Sequence, residues 1–468
     1  CVPIGYDCVE RKLFVNEAEA RSVRRIFELY CELRNVFLLR RRLADEGIVS
    51  KVRRRHDGAV TGGLLPSVGP YTPQQLWSIY NLPAASTGQG QRMGVFIDGL
   101  AAPVISSLRG FEQANQLPQV PVSVQQVGTS PPPADEPGEN EWELDTQVAT
   151  GMAPQVQQLT LYDLQSLNDA DVLAGFAQWA NDPDGPAQMD ASFGECETTP
   201  LNPLVGNPNL SLGGLNGLGD NLEPAAEPVL LQATLEGRTL FASAGDNGGS
   251  CAALVLPVVG AFNGLLNEVV PLQSYPAASD YAVSVGGTVL YADGSTVSTR
   301  QLEAAWAFSG GGSSGYIAEP DFQKLLPAGA VTQACPVNPG GQAYPPGTMC
   351  RSVPDIAAFS GDALTNGFAI DDGGSPFVAS GTSLSAPLAM GMWARVQAAA
   401  PAGGLGFADE TIYKLGTGPT ASRDFTDITV GSNGQHFAGP GYDQVSGFGV
   451  MNVAGFMADA DGRMAPNP

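Results

Sequence analysis

The sequence predicts an α/β fold, a mostly parallel sheet with helices on both faces, preceded by a small N-terminal helical appendage. Short apolar runs end in turn residues, as buried strands do, and helical patterns at 168–180 and 225–236 lie between some of them. Near the N-terminus, apolar residues recur at helical spacing through 16–47, which predicts the appendage. The apolar runs are RMGVFIDG (92–99), VQQLTLYD (156–163), AQMDASFG (187–194), TLFASAGD (239–246), YAVSVGGTVL (281–290) and GFAID (367–371).

Charge divides the chain into two parts. Residues 1–60 carry a net charge of +4 and the rest carries −28, which gives −24 for the 468 residues. We therefore predict a helical segment at 1–55, a polar linker at 56–70 and one large domain at 71–468. The acidity of the large domain argues against a nucleic-acid partner. It indicates either solubility alone or work at low pH, where protonated carboxyls leave little net charge.

The apolar runs and the first residues of the chain bear on membrane association and on where the natural protein begins. No run approaches the roughly 20 residues that span a bilayer, so we expect no membrane partner. The chain begins at Cys1 without a signal-peptide pattern, and we expect its natural N-terminus to lie elsewhere.

Four of the seven cysteines lie in the acidic domain, an even number that is compatible with two disulfides and an oxidising compartment. Cys196 and Cys251 follow the ends of two predicted strands that can be neighbours in a parallel sheet, so we pair them. Cys335 and Cys350 bracket a loop rich in Pro and Gly, and we pair those. Free buried cysteines are the alternative.

The stretch SGTSLSAP (380–387) is typical of a turn that presents a nucleophilic serine, Ser383, at the start of a buried helix. A serine hydroxyl needs a base beside it. The chain has only two histidines, His56 and His436, which disfavours a histidine-dependent serine peptidase. The base is therefore expected to be a carboxylate.

Carboxylates with suitable spacing lie in PGENEWELDTQVATGMAP (137–154), which predicts a helix of about four turns. Glu141 and Asp145 are four residues apart and share one face of that helix. Glu139 and Glu143 form a second pair with the same spacing, so spacing alone does not choose between the pairs. A solvated acidic face is the alternative for either of them.

One more acidic residue, Asp246, stands at the turn after the run TLFASAGD. An aspartate at a turn commonly caps that turn through its own side chain. A protonated aspartate can instead donate a hydrogen bond to an oxyanion, whereas an ionised one would repel it.

Taken together, these pieces resemble the sedolisin family, the serine-carboxyl peptidases, over about residues 70–460. EWELD is similar to the family's Glu-x-x-Leu-Asp motif, SAGD to its oxyanion motif and SGTSLSAP to its nucleophile motif. SGGGSSGYIAEPDFQ (309–323), YPAASDYAVSVGGT (275–288) and VPDIAA (353–358) also resemble that family. The resemblance implies a subtilisin-like fold.

The resemblance also implies a catalytic set. Ser383 would be the nucleophile, Glu141 its base and Asp145 the partner of that base, with a protonated Asp246 in the oxyanion hole. The implied activity is acid-acting hydrolysis of polypeptides by an endopeptidase. Tripeptidyl-peptidase action and a catalytically silent sedolisin-like binding protein are the alternatives.

The segment DITVGSNGQHFAGPGYD (427–443) resembles the calcium loop of the family. Hard oxygen ligands of this kind suit Ca²⁺. A Gly-rich surface loop is the alternative. The ligands that the resemblance implies are the side chains of Asp427 and Asp443 and the carbonyls of Ile428, Gly439 and Gly441.

Two residues near the predicted site, and the N-terminal segment, depart from the family pattern. Phe193 stands where many members of the family have tryptophan, and Asp98 where some have a glutamate near the site. About the first 50 residues resemble a fragment of the recombinase domain of large serine recombinases, without that family's catalytic domain, so they imply no recombinase activity. We expect a monomer in an extracellular or other acidic, oxidising compartment.

Overall fold

The computed structural model describes residues 69–129, 139–197, 222–254, 268–270, 272–292, 298–338, 342–362, 366–400 and 404–460. Before them it describes 6–9, 12–17, 20–25, 28, 53–54 and 60–61. His56 lies outside these residues.

The strands within the described residues are, in chain order, β1 (Tyr6–Val9), β2 (Lys12–Val15), β3 (Arg53–Arg54), β4 (Val60–Thr61), β5 (Arg92–Asp98), β6 (Val122–Gln126), β7 (Gln158–Leu164), β8 (Gln188–Ala191), β9 (Glu195–Cys196), β10 (Thr239–Ser243), β11 (Cys251–Leu254), β12 (Glu268–Val270), β13 (Ser274–Tyr275), β14 (Ala282–Ala292), β15 (Arg300–Ala305), β16 (Gly312–Ala318), β17 (Cys350–Val353), β18 (Ile356–Phe359), β19 (Phe368–Asp372), β20 (Ser375–Ala379), β21 (Phe425–Thr426) and β22 (Val450–Met451).

The helices of the large domain are α1 (Pro73–Ile79), α2 (Ala101–Ala114), α3 (Glu139–Met152), α4 (Asp169–Asn181), α5 (Leu222–Leu235), α6 (Thr382–Ala399), α7 (Ala408–Gly416), α8 (Ala421–Asp424) and α9 (Val453–Ala460). A short 3₁₀ turn covers Gln323–Leu325. The helices predicted at 137–154, 168–180 and 225–236 correspond to α3, α4 and α5.

The central sheet has the strand order β6-β7-β5-β8-β10-β14-β18-β22-β21, and β15 pairs with the C-terminal part of β14. Only β15 and β21 run antiparallel to their partners within this described sheet. Because parallel strands end at one edge of a sheet, the residues that follow β5, β8 and β10 lie near one another.

Helices cover both faces of this sheet, which confirms the predicted architecture. On one face α3 packs against α6, and α6 lies across β8, β10, β14 and β18. On the other face α4 packs against α5. Alternation along β5 supplies both cores, since Val95 and Ile97 join the core under α6 while Phe96 joins the core under α4.

The run GFAID differs from the other apolar runs. It forms β19, which pairs with β20 in a separate antiparallel hairpin. Gly373 and Gly374, with φ of 57° and 88°, supply the two-residue turn that favours this hairpin. The Gln147 side chain on α3 donates to the carbonyl of Asp371 at 2.7 Å. The hairpin is thus fixed against α3 just before the chain enters α6.

The described part of the N-terminal appendage is not purely helical. β1 and β2 form an antiparallel pair before helical residues at 20–25, and β3 pairs antiparallel with β4, which lies within the predicted linker. Most of the predicted helical region at 26–47 lies outside the described residues.

Both predicted disulfides are confirmed. The Cα atoms of Cys196 and Cys251 are 5.3 Å apart, and those of Cys335 and Cys350 are 4.6 Å apart. Both distances fall within the usual range for a disulfide. Among the described residues, no helix has the length and apolar character that crossing a membrane requires.

Candidate active site

The carboxyl edge of the central sheet carries the predicted catalytic residues. Asp246 lies on the turn after β10. Helix α3 contributes Glu141 and Asp145 from its first half, and α6 contributes Ser383 from its first turn. Since α3 packs against α6, their side chains meet above the ends of β8 and β10.

Ser383 is the second residue of α6 and is half-buried. The residue before the helix, Gly381, has a φ of 115°, and a Cβ there would lie 2.8 Å from Oδ2 of Asp246. Glycine is therefore required for the turn to approach Asp246 so closely. The N-terminus of a long helix also favours negative charge that develops near Ser383.

Glu141 is the carboxylate that contacts the serine. The hydroxyl of Ser383 lies close enough to its side chain to lower the pKa of that carboxyl. Desolvation raises the pKa of Glu141 to about 7; the nearby Ser383 hydroxyl opposes that shift, and the charge of Asp246 adds to it. A carboxylate with such a pKa is a stronger base than an ordinary glutamate.

Of the second carboxylate pair that the spacing allowed, Glu139 and Glu143, Glu143 does not take part in the site. Glu143 accepts a hydrogen bond from the Ser107 hydroxyl at 2.6 Å and lies beside Asp372 of the β19–β20 hairpin. Packing of α3 therefore turns Glu141 and Asp145 towards Ser383, a choice that the spacing left open.

Asp145 is fully buried and has a second carboxyl beside it, that of Asp190 on β8. Desolvation raises the pKa of Asp145 well above its ordinary value, and the charges of Asp190 and Glu141 raise it further. Asp190 lies outside the set of residues that the sequence motifs predict to be catalytic. Its signal was present, however, because a charged residue interrupts the apolar run AQMDASFG.

Asp246 is anchored by the first residue of α6. The backbone N–H and the hydroxyl of Thr382 both donate to Oδ1 of Asp246, at 2.9 and 2.8 Å. Asp246 is exposed to solvent, yet neighbouring protein atoms partly desolvate its carboxyl and raise its pKa. Because Oδ1 already accepts two hydrogen bonds, a proton on this carboxyl would sit on Oδ2.

The segment SGGG (309–312) holds the turn that carries Asp246. The N–H of Gly310 donates to the carbonyl of Gly245 at 2.7 Å. A Cβ on Gly310 would lie 1.8 Å from the carbonyl oxygen of Ala244, so no other residue fits this contact. The match of this segment to the family thus has a steric reason.

The two positions that depart from the family pattern pack near the site. Asp98, at the end of β5, accepts a hydrogen bond of 3.0 Å from the indole N–H of Trp142, the residue after Glu141. Phe193 packs against the rings of Phe96 and Phe176. Both residues therefore pack against elements near the predicted catalytic residues.

His436 stands apart from this arrangement. Its backbone N–H donates to Oδ1 of Asn433 at 2.9 Å, and Asp443 is its charged neighbour. Burial lowers the pKa of its imidazole. The hydroxyl of Ser383 lies beside the carboxyl of Glu141 instead.

The segment 427–443 folds back so that its two aspartates share one loop. Oδ2 of Asp427 accepts from the N–H of Gly441, and Oδ2 of Asp443 accepts from the N–H of Gly439, both at 2.8 Å. Ile428 is buried beneath the loop. The described residues contain no group of three or more His, Cys, Asp or Glu side chains arranged for a metal ion. A site here would therefore depend on carbonyl oxygens as well as on the two carboxylates.

Comparisons with known proteins agree with these motifs, although no protein-family model matches the chain. The chain is 27% identical over 401 residues to "Sedolisin" of Pseudomonas sp. (strain 101), covering 82% of this chain and 60% of that protein. It is 28% identical over 404 residues to "Xanthomonalisin" of Xanthomonas sp. (strain T-22), covering 83% of this chain and 46% of that protein. It thus spans about half the length of these curated relatives.

A solved structure shows the same fold. It is that of Pseudomonas sedolisin, a serine-carboxyl proteinase, complexed with two molecules of pseudo-iodotyrostatin. The match has a TM-score of 0.68 at 24% identity and covers 85% of this chain and 99% of that one. The predicted subtilisin-like fold is therefore confirmed. In sequence and in fold, the chain is thus similar to members of the sedolisin family.

Proposed function

We propose that the protein is an acid-acting serine-carboxyl peptidase that hydrolyses polypeptides. The observation that carries the proposal is the placement of the Ser383 hydroxyl, at the start of α6, beside the buried carboxyl of Glu141 on α3. A serine hydroxyl paired with a base is the arrangement that nucleophilic catalysis requires. Here a carboxylate takes the position that histidine has in other serine peptidases.

In the first half of the reaction, Oγ of Ser383 attacks the peptide carbonyl carbon while its proton passes to Glu141. Asp145 interacts with Glu141 and belongs to the same titrating unit. The oxyanion that forms receives a hydrogen bond from the proton on Oδ2 of Asp246. Glu141 then gives its proton to the amine nitrogen, the C–N bond breaks and an acyl-enzyme remains.

The second half uses the same groups in the opposite order. Water attacks the ester carbon as Glu141 takes one of its protons, and a second oxyanion forms beside Asp246. Collapse of that intermediate breaks the bond to Oγ, and Glu141 returns the proton to Ser383. The acid product leaves, and the site is restored without any other reactant.

The loop 427–443 is proposed to hold Ca²⁺. Asp427 and Asp443 would supply carboxylate oxygens, and Ile428, Gly439 and Gly441 would supply carbonyl oxygens, a set that suits this hard cation. The fit is supported by the fold of the loop, in which Gly441 and Gly439 hydrogen-bond to the two carboxylates. Bound calcium would neutralise these two negative charges and stabilise the loop.

The setting proposed for this activity is an extracellular or other acidic, oxidising compartment, in which the protein acts as a monomer. The two disulfides, and buried carboxyls such as Glu197 and Asp280 whose pKa is raised by desolvation, support that setting.

The test is digestion of a peptide library at about pH 4, with the Ser383→Ala variant as the matched control. Cleavage by the unchanged chain and none by the variant is expected. Internal cleavage identifies an endopeptidase, whereas release of tripeptides from free N-termini identifies a tripeptidyl-peptidase. Binding of peptides without cleavage by a folded, unchanged chain would contradict the proposal.

A further inference from the structure

Asp190 is a carboxyl in the middle of a sheet. It is fully buried, and its neighbours in register, Val95 on β5 and Phe241 on β10, are fully buried apolar residues. Burying an ionised carboxylate among apolar groups is costly unless it is paired or protonated. A residue in such a position needs a physical reason.

The groups around Asp190 supply that reason. Its carboxyl contacts the carboxyl of Asp145, and its Oδ2 accepts from the Ser192 hydroxyl at 3.2 Å. The charge of Glu141 also acts on it, and the charge of Asp246 acts on Glu141 in turn. The hydroxyl of Ser192 further contacts the carbonyl of Ser383 at 3.3 Å. Asp190 is thus linked to the nucleophile from two directions.

The contact between Asp145 and Asp190 is one between two acceptors. Neither oxygen of Asp145 accepts a hydrogen bond from a donor among the described residues. The hydroxyl of Ser192 nevertheless lies close enough to lower the pKa of Asp145. Two carboxyls in contact cannot both ionise readily, because like charges repel. The contact becomes a hydrogen bond only when one proton lies between them.

We propose that Asp190 is a positioning residue, which shares a proton with Asp145 and thereby extends the catalytic pair of Glu141 and Asp145 to a unit of three carboxyls. This inference rests on the proposed peptidase function for its kinetic consequence only. Asp190 touches no reacting atom in this arrangement. Its role is to keep Asp145 protonated while Glu141 ionises and acts as the base.

The substitution Asp190→Asn separates this role from simple packing. Asparagine has nearly the same shape, but its amide donates to Asp145 and stabilises the ionised form of that residue. Asp145 should then lose its proton at lower pH. We expect the alkaline limb of the kcat profile to move down by about one pH unit or more, with KM little changed.

Two controls isolate the effect. Glu197→Gln removes another fully buried carboxyl, outside the site, and should leave the limb in place. Ionisation of Asp246 also contributes to the alkaline limb, so Asp190→Asn is measured again in the Asp246→Asn background. The downward shift should persist there.

The proton itself is followed by infrared titration of the inactive Ser383→Ala variant, in which the band of the protonated Asp145 carboxyl is assigned by its loss in Asp145→Asn. We expect this band to persist to higher pH when Asp190 is present than when the Asp190→Asn substitution is added. If Asp190→Asn does not fold, Asp190→Ser is titrated instead. The proposal is overturned if the band titrates at the same pH in both proteins, or if the kinetic limb stays in place. Failure of the unchanged chain to cleave peptides would refute the proposed function, while the infrared titration still decides the role of Asp190.

Discussion

Replacing Glu197 with glutamine should make the protein more resistant to alkaline unfolding. Glu197 is fully buried, and burial raises the pKa of its carboxyl from 4.5 to about 7. It accepts hydrogen bonds from the N–H of Gln273 at 2.7 Å, from the N–H of Gly315 at 3.3 Å and from the Ser314 hydroxyl. These donors favour the ionised form, as does the charge of Arg351, but the desolvation effect is larger than all of them.

The sign and size of this pH effect follow from the difference between the pKa values of Glu197 in the folded and unfolded states. In the unfolded chain Glu197 ionises near pH 4.5, whereas in the folded protein it holds its proton to about pH 7. The stability contributed by this group is therefore fully present below pH 4.5 and is lost as pH rises through that window. The difference between a pKa of 4.5 and one of about 7 corresponds to about 3 kcal/mol of the free energy of unfolding. Glutamine does not ionise, so the variant should not show this loss.

The assay is urea unfolding of both proteins at about pH 4 and about pH 8. The quantity compared is the change in the free energy of unfolding between the two pH values, in which any pH-independent cost of the amide cancels. On raising the pH, wild type should lose about 3 kcal/mol more of this free energy than Glu197→Gln does. The control Glu410→Gln, on the exposed side of α7, should behave like wild type. The same pH dependence in wild type and Glu197→Gln would refute the reasoning.

The other predictions concern the active site and the calcium loop. Ser383→Ala should abolish acid proteolysis and leave the fold intact, and His436→Gln should leave turnover largely unchanged; peptide cleavage at about pH 4 measures both. Asp246→Asn supplies a donor at every pH, so the alkaline limb of its pH–rate profile should move upward, while Asp246→Ala should lose about 10²–10³ in turnover. Chelation should lower the Tm at about pH 5, and less so at lower pH, because burial raises the pKa of the Asp443 carboxyl and its protonation would weaken binding; a Tm indifferent to chelator would count against the ion.

The sequence was sufficient for the sheet and for the order of its motifs. Apolar runs that end in turn residues correspond to β5, β7, β8, β10 and β14, because strands buried on both faces need continuous apolar sequence. GFAID has the same local pattern, but its position is decided by the Gly373–Gly374 turn and by contacts to α3. A five-residue run carries no information about its pairing partner.

The candidate site could likewise be predicted from the sequence only in part. Spacing left two equivalent carboxylate pairs on α3, and only the packing of α3 against α6 distinguishes Glu141 from Glu143. Asp190 is visible in the sequence as a charge in an apolar strand, but its contact with Asp145 depends on how β8 lies beneath α3. Long-range placement of this kind cannot be read from local periodicity.

One physical cause underlies both the proposed chemistry and the expected stability profile. Burial raises the pKa of Glu141 in the site and also those of carboxyls elsewhere, to about 7 for Glu197 and about 8 for Asp280. Rising pH should therefore weaken the fold while it also removes the proton from Asp246. The two effects are separable, because Glu197→Gln should change the unfolding profile alone, whereas Asp246→Asn should move the kinetic limb. If one substitution moved both profiles equally, loss of activity at high pH would reflect unfolding and not the chemistry of the site.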